Sequence, residues 1–160
     1  EDGDAKAHAR ALHYLSYRPR SIAEVQTRLK RDEWPGEVIE RVLARLQAEG
    51  FLSDENFSSV WVEHRTLSSK PRGARMLRAE LRHKGVDKET IDDALPSVDE
   101  ELKNAIVTMQ QILRSKSRAW SALEAREKQN KLFAAMQRRG FNFGVSKSAW
   151  PRLKEEGASA

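Results

Sequence analysis

Apolar residues recur at helical spacing along most of the chain, and runs that alternate between apolar and polar residues are absent. A clear example begins at Ser21, which forms a capping-box motif with Glu24 three residues later. Ile22, Val25 and Leu29 then follow at positions i, i+3 and i+7. This spacing places apolar side chains on one face of a helix. Its recurrence along the chain predicts an all-α protein.

The apolar pattern occurs three times. A shift of 52 residues superimposes four apolar positions, so that Val25, Leu29, Ile39 and Leu43 fall on Leu77, Leu81, Ile91 and Leu95. A further shift of 55 residues continues the series, with Leu77, Leu81, Gly85 and Val86 falling on Leu132, Met136, Gly140 and Phe141. Because both glycines follow a basic helical segment, we predict left-handed helix C-caps at these positions.

An apolar helical stripe also precedes the pattern in each unit, which predicts three helices per repeat. We place the three-helix repeats at residues 5–50, 51–98 and 99–150, followed by a disordered tail at residues 151–160. A unit of about 50 residues buries little apolar surface alone, so we expect an elongated, curved array of tandem helix-turn-helix-like repeats. The segment from Ser68 to Gly73 has the composition of a flexible joint.

Charge is distributed in bands along the chain, whose net charge is +5. Residues 65–84 carry seven lysines and arginines against one acid, and residues 87–101 carry seven acids against one lysine. The following segment is basic again. A modest net charge is not diagnostic, but clustered basic residues favour an acidic partner such as nucleic acid.

Two basic faces are the candidate contact surfaces. The first follows the fifth predicted helix and comprises Arg72, Arg75, Arg78, Arg82 and Lys84. The second lies in the third repeat and comprises Lys128, Lys131, Arg138 and Arg139. Arginine suits bidentate contacts with phosphate or carboxylate groups. The alternative is that either set is only a solvated helix face.

Catalytic and metal-binding motifs are missing. The chain has no cysteine, no phosphate-binding loop and no nucleophile elbow. Its histidines lack metal-ligand spacing and are expected at the surface: His8, His13, His64 and His83. Trp34 and Trp61 lie in apolar stripes, so we expect core packing rather than base stacking. We predict no enzymatic activity, no cofactor and no metal.

No apolar run approaches the roughly 20 residues needed to cross a bilayer, and the first residues are acidic rather than typical of a signal peptide. We therefore expect a cytoplasmic monomer without membrane contact.

Residues 50–65 resemble the signature of the RecX family in Gly50-Phe51-Leu52-Ser53-Asp54, Phe57, Trp61-Val62 and Arg65. The next segment is similar to the family's central repeat in Lys70, Gly73, Leu77, Glu80-Leu81, Lys84-Gly85-Val86, Ile91 and Ala94-Leu95. The first repeat contributes Tyr14-Leu15, Arg20-Ser21, Leu29 and Val42. The resemblance is close over residues 8–98 and loose over 99–150, where Phe143-Gly144-Val145-Ser146 departs from it.

The resemblance implies a regulator that lies in the groove of the RecA recombinase filament on single-stranded DNA. Such a regulator restrains strand exchange, ATP turnover and repressor cleavage, and so acts in homologous recombination, DNA repair and the SOS response. Weak direct DNA binding is a further expectation. A repetitive array also suits a polymeric partner, since many weak contacts along a lattice add together.

The alternative is a helix-turn-helix-type protein that acts directly on DNA. Such a protein needs polar side chains that read base edges, and the basic helices of the first two repeats carry mostly arginine among alanine and leucine. This composition favours contacts with a backbone or an acidic protein surface.

Overall fold

The computed structural model describes the backbone of residues 2–159 and the side chains of residues 2–153. Within these residues the chain forms nine α-helices and no strand. The helices are α1 (Asp2–Leu15), α2 (Ile22–Arg31), α3 (Gly36–Ala48), α4 (Asp54–Thr66), α5 (Ala74–His83), α6 (Lys88–Ala94), α7 (Val98–Ser115), α8 (Ala125–Arg138) and α9 (Phe143–Ser159). The prediction of an all-α fold is confirmed.

Helix α2 begins with the predicted capping box. The hydroxyl oxygen of Ser21 accepts the backbone N–H of Glu24, and the Glu24 carboxylate accepts the backbone N–H of Ser21, both at 3.1 Å. Ser97 and Glu100 form the same reciprocal pair at the start of α7, both at 3.2 Å. Each pair satisfies two N–H groups that have no partner inside the helix.

Four helices end in the same left-handed turn. The residue with positive φ is Glu33 after α2, Gly50 after α3, Gly85 after α5 and Gly140 after α8. The next residue donates its N–H to the carbonyl five positions back, in the pairs Trp34 to Leu29, Phe51 to Leu46, Val86 to Leu81 and Phe141 to Met136. This is the Schellman motif, so the predicted C-caps at Gly85 and Gly140 are confirmed. Glu33 adopts the same conformation with a Cβ, which costs roughly 1–2 kcal/mol.

The described residues of Glu1–Trp61 and Glu80–Ala94 form one compact unit, here unit 1. Its core cluster consists of Ala7, Ala11, Val25, Leu29, Ile39, Val42, Leu43, Leu46 and Leu52. Trp34 packs against this cluster, as predicted. Trp61 is half-buried, stacks near Phe57 at a ring distance of 5.6 Å and donates its indole N–H to Glu80. Both tryptophans are therefore packing residues.

The described residues of Val62–Ala79 and Leu95–Ala160 form the second compact unit, unit 2. Its core cluster consists of Ala105, Ile106, Met109, Ile112, Leu132, Met136, Phe141 and Ala149. Helix α9 continues through Pro151, where the sequence pattern predicts a disordered tail. Trp150 and Leu153 pack against the cluster, and these apolar contacts hold residues 151–153 in the helix. The side chains of 154–160 and the backbone of 160 lie outside the described residues.

The boundary between the two units falls inside α4 and inside α5. The middle repeat is therefore divided, because its helices contribute residues to both units. Leu77 and Leu81, one turn apart on α5, are each fully buried, the first in unit 2 and the second in unit 1. The repeat boundaries at residues 50 and 98 stay a prediction.

Candidate functional site

A basic cavity of about 430 Å³ lies in unit 2. Its lining consists of His64, Arg65, Ser68, Ser69, Lys70, Pro71, Arg72, Met76, Arg138 and Arg139. Five of these ten residues are lysine or arginine and none is acidic. We call this cavity the basic groove. It joins Arg72 of the first predicted face to Arg138 and Arg139 of the second, which the sequence pattern treats as separate surfaces.

Two glycines bring these segments together. The N–H of Gly73 donates to the carbonyl of Arg139 at 2.7 Å, and the N–H of Arg75 donates to the carbonyl of Gly140 at 3.1 Å. A Cβ on Gly73 would lie 2.4 Å from three backbone atoms, the carbonyl carbon and oxygen of Gly140 and the nitrogen of Phe141. The two backbones therefore touch directly. Gly73 serves close packing here, and the prediction of a flexible joint does not hold at this residue.

A buried carboxylate accepts a backbone N–H at the first residue of α5. Glu101 on α7 is 6% exposed, and its Oε2 accepts the backbone N–H of Ala74 at 2.6 Å. Its Oε1 is buried without a hydrogen-bond partner among the described residues. Burial raises the pKa of Glu101, while the bond from Ala74 acts in the opposite direction. In the sequence Glu101 belongs to an acidic band, and no local pattern distinguishes it from its exposed neighbours.

The pKa of Glu101 predicts a pH-dependent stability. Because the folded-state pKa lies above the unfolded one, the folded chain binds more protons between the two values, and stability falls as pH rises through that window. Glu101→Gln lacks this ionisation. We expect the unfolding free energy of the wild type, relative to this variant, to fall as the pH rises from acidic to neutral values.

Urea titrations at a series of pH values measure this difference. The control is Glu127→Gln, which removes one negative charge from the exposed surface of α8. Parallel pH profiles for the wild type and Glu101→Gln would contradict the assigned shift.

Arginine side chains around the groove have two different roles. Nη2 of Arg75 donates to the carbonyl of Gln137 at 2.6 Å, which places a cation at the C-terminal end of α8, where the helix dipole favours it. Arg139 is half-buried, and its Nη1 is buried without a hydrogen-bond partner in the described part of the chain. Burial lowers the pKa of Arg139, yet a guanidinium stays charged at neutral pH. Arg139 thus adds a half-buried positive charge to the groove lining.

The remaining candidate residues lie outside the groove lining. Arg82 and Lys84 belong to unit 1. Nζ of Lys84 lies 3.4 Å from the Glu24 carboxylate and 5.5 Å from the centre of the Trp61 ring, so its charge is already engaged. In unit 2, Arg78 and Lys128 are half-buried and Lys131 is exposed.

The structure corrects the prediction for one histidine and shows no metal-binding group among the described residues. His8 is 8% exposed, and its Nε2 lies 2.6 Å from Oε1 of Glu49, so the prediction of a surface histidine is wrong there. The hydrogen bond to Glu49 compensates its burial. Among the described residues no three histidine, aspartate or glutamate side chains are placed to share a metal ion. No described helix is long and apolar enough to cross a membrane.

Comparison with known proteins places the chain in a family. Residues 7–46 match "RecX, first three-helix domain" and residues 53–95 match "RecX, second three-helix domain". The chain is 33% identical over 154 residues to the regulatory protein RecX of Bacillus subtilis, with 94% of this chain and 56% of that protein covered. It is 36% identical over 143 residues to the regulatory protein RecX of Mycolicibacterium vanbaalenii, with 86% of this chain and 76% of that protein covered.

The fold agrees with this assignment. The crystal structure of RecX from Lactobacillus salivarius matches with a TM-score of 0.85 over 96% of this chain and 97% of that one, at 22% identity. Successive three-helix domains in an all-helical chain define the class of tandem helical-repeat proteins. Within that class, the chain belongs to the RecX family. It spans just over half the length of its Bacillus subtilis relative.

Proposed function

We propose that this chain binds the RecA nucleoprotein filament on single-stranded DNA and restrains its recombinase, ATPase and repressor-cleavage activities. The observation that carries the proposal is membership in a family whose relatives are named regulatory proteins. The protein then acts in the control of homologous recombination, DNA repair and the SOS response. It works in the cytoplasm as a monomer of three repeats, at residues 5–50, 51–98 and 99–150.

The basic groove is the contact site in this proposal. A filament of protein on DNA presents phosphates and acidic side chains, and both are oxyanions that guanidinium groups bind in bidentate geometry. The groove lining contains five cationic side chains and no carboxylate. Arg138 and Arg139 provide adjacent guanidinium groups at the end of α8, and Arg72 provides a third from the segment before α5.

In this proposal the chain regulates the filament by binding to it and catalyses no reaction. The groove lining has no carboxylate to act as a base or to hold a metal ion. A bound chain restrains the filament by stabilising one arrangement of its subunits, since a ligand shifts an equilibrium only through different affinities for the two states.

The rate of single-stranded-DNA-dependent ATP hydrolysis by RecA, measured as the full chain is titrated in, tests the function. We expect the rate to fall at concentrations that scarcely bind bare single-stranded DNA, which is measured in parallel. An unchanged rate, combined with salt-sensitive binding to one particular duplex, would support the helix-turn-helix-type DNA-binding alternative instead.

A further inference from the structure

Unit 1 contains a second cavity, of about 620 Å³, with a largely apolar lining. It is lined by Leu12, Leu15, Ser16, Tyr17, Arg18, Pro19, Arg20, Phe51, Ser53, Asn56 and Phe57. None of these residues belongs to the basic groove. Leu12 and Leu15 also pack against the core cluster of unit 1, so part of the cavity wall is continuous with the core.

Two aromatic rings in this lining are exposed. Tyr17 is 70% exposed and Phe51 is 58% exposed. The ring of Tyr17 is nevertheless held in place, because its hydroxyl lies 3.1 Å from Nε2 of His13 and the two rings meet edge to face at 5.2 Å. We call the cavity with these two rings the Tyr17–Phe51 pocket.

The exposure of Phe51 departs from the pattern of the other helix ends. Phe51 follows the left-handed Gly50 and donates its N–H to the carbonyl of Leu46 at 2.9 Å, as the second residue of a Schellman motif does. An apolar residue at this position usually packs back on its helix. Val86 and Phe141, at the same position after α5 and α8, are 4% and 0% exposed. Phe51 has the same backbone setting but an uncovered ring.

Charge in the pocket lining is basic. Arg18 and Arg20 are its only charged residues. Arg18 is paired with Glu24 at 2.7 Å. Arg20 is half-buried with its guanidinium carbon 4.0 Å from the centre of the Tyr14 ring, and no carboxylate in the described part of the chain pairs with it. Outside the lining, the Glu55 carboxylate accepts the hydroxyl hydrogen of Ser53 at 3.2 Å.

We propose that the Tyr17–Phe51 pocket binds a short acidic peptide segment of a partner protein. One large apolar side chain of the segment inserts between the two rings, and a carboxylate next to it pairs with Arg20. The cavity volume lies within the range of about 300–1,000 Å³ that is usual for ligand pockets. A half-buried arginine without an acidic partner favours an anionic occupant, because a charge removed from water needs a counter-charge. This inference stands independently of the proposed function of the basic groove.

Single-stranded nucleic acid fits the pocket less well. Grooves that bind single strands combine stacking rings with a track of basic side chains along the phosphate backbone. The pocket lining has two arginines, and one of them is already paired with Glu24. The lining therefore lacks such a basic track.

Fluorescence anisotropy of a labelled synthetic peptide, with one central phenylalanine flanked on both sides by aspartates and glutamates, tests the inference on the full chain. We expect binding that weakens roughly tenfold or more with Phe51→Ala, as for an interface anchor. The matched control is Phe143→Ala, which removes a phenylalanine of similar exposure, 56%, outside the pocket. Arg20→Gln should weaken binding and reduce its salt dependence.

Peptide controls complete the design. Replacing the peptide's phenylalanine by alanine, or its acids by asparagine and glutamine, should each reduce binding. Tyr17→Ala serves as a second pocket variant, and circular dichroism verifies that all variants stay folded. A basic-groove variant that carries Lys70→Glu, Arg72→Glu and Arg138→Glu should leave peptide binding unchanged, which separates this inference from the proposed function.

Three results would overturn the inference. The first is equal peptide affinity for the wild type, Phe51→Ala and Tyr17→Ala. The second is Phe51-dependent binding of oligothymidine in the absence of peptide binding, which would make the pocket a nucleic-acid site. The third is self-association that Phe51→Ala abolishes, measured by sedimentation, which would make the occupant a second copy of the chain.

Discussion

Replacing Gly73 with alanine is expected to lower the free energy of unfolding by about 3 kcal/mol, the upper part of the usual range for overpacking. The new Cβ would lie 2.4 Å from the carbonyl group of Gly140 and from the nitrogen of Phe141. All three are backbone atoms, so no side chain can rotate away to relieve the clash. Separation of the two backbones would also stretch the hydrogen bond from Gly73 to Arg139, now 2.7 Å long.

Urea unfolding followed by circular dichroism measures this loss. Gly36→Ala is the matched control, because no atom lies within 4 Å of a Cβ at this position and Gly36 is the first residue of α3. The control should leave stability unchanged or raise it by about 0.5–1 kcal/mol, since glycine in a helix carries an entropic cost. Equal stability of both variants would refute the direct backbone contact at Gly73.

Reversal of three charges in the basic groove is expected to raise the concentration of the chain that is needed to slow ATP hydrolysis by the RecA filament. The expected increase is roughly a hundredfold or more. The variant carries Lys70→Glu, Arg72→Glu and Arg138→Glu. Each change removes an attraction to an anionic partner and adds a repulsion, and such effects reach several kcal/mol at interfaces. Arg139 is left unchanged, because its Nη1 atom is buried, and a carboxylate at a buried position would be poorly tolerated.

The ATP hydrolysis titration described above measures the result. The matched control reverses Arg114, Lys116 and Arg118, which are exposed and lie outside the groove. Each triple variant replaces two arginines and one lysine by glutamate. Each therefore lowers the net charge by 6, from +5 to −1. Loss of the effect in both variants would assign it to net charge alone. Retention of the effect in the groove variant would place the contact elsewhere, while an inactive wild type would refute the proposed function itself.

Local sequence patterns predicted the elements of this structure well. The capping box of Ser21 and Glu24, the left-handed glycines at Gly85 and Gly140 and the packing of Trp34 are all as predicted. These features depend on hydrogen bonds and apolar contacts between residues a few positions apart, so the order of residue types contains the information. The resemblance to the RecX family likewise rested on short motifs, and the family comparisons confirm it.

The sequence by itself therefore determined the all-helical class, several helix ends and the family. Only the tertiary structure decided which basic residues share a site, since the groove joins residues 64–76 to Arg138 and Arg139 through the contact of Gly73 with Gly140. It also decided that Glu101 is buried and that Phe51 is exposed. Each of these outcomes depends on how helices distant in sequence pack. Packing depends on the fit of whole surfaces rather than on local periodicity.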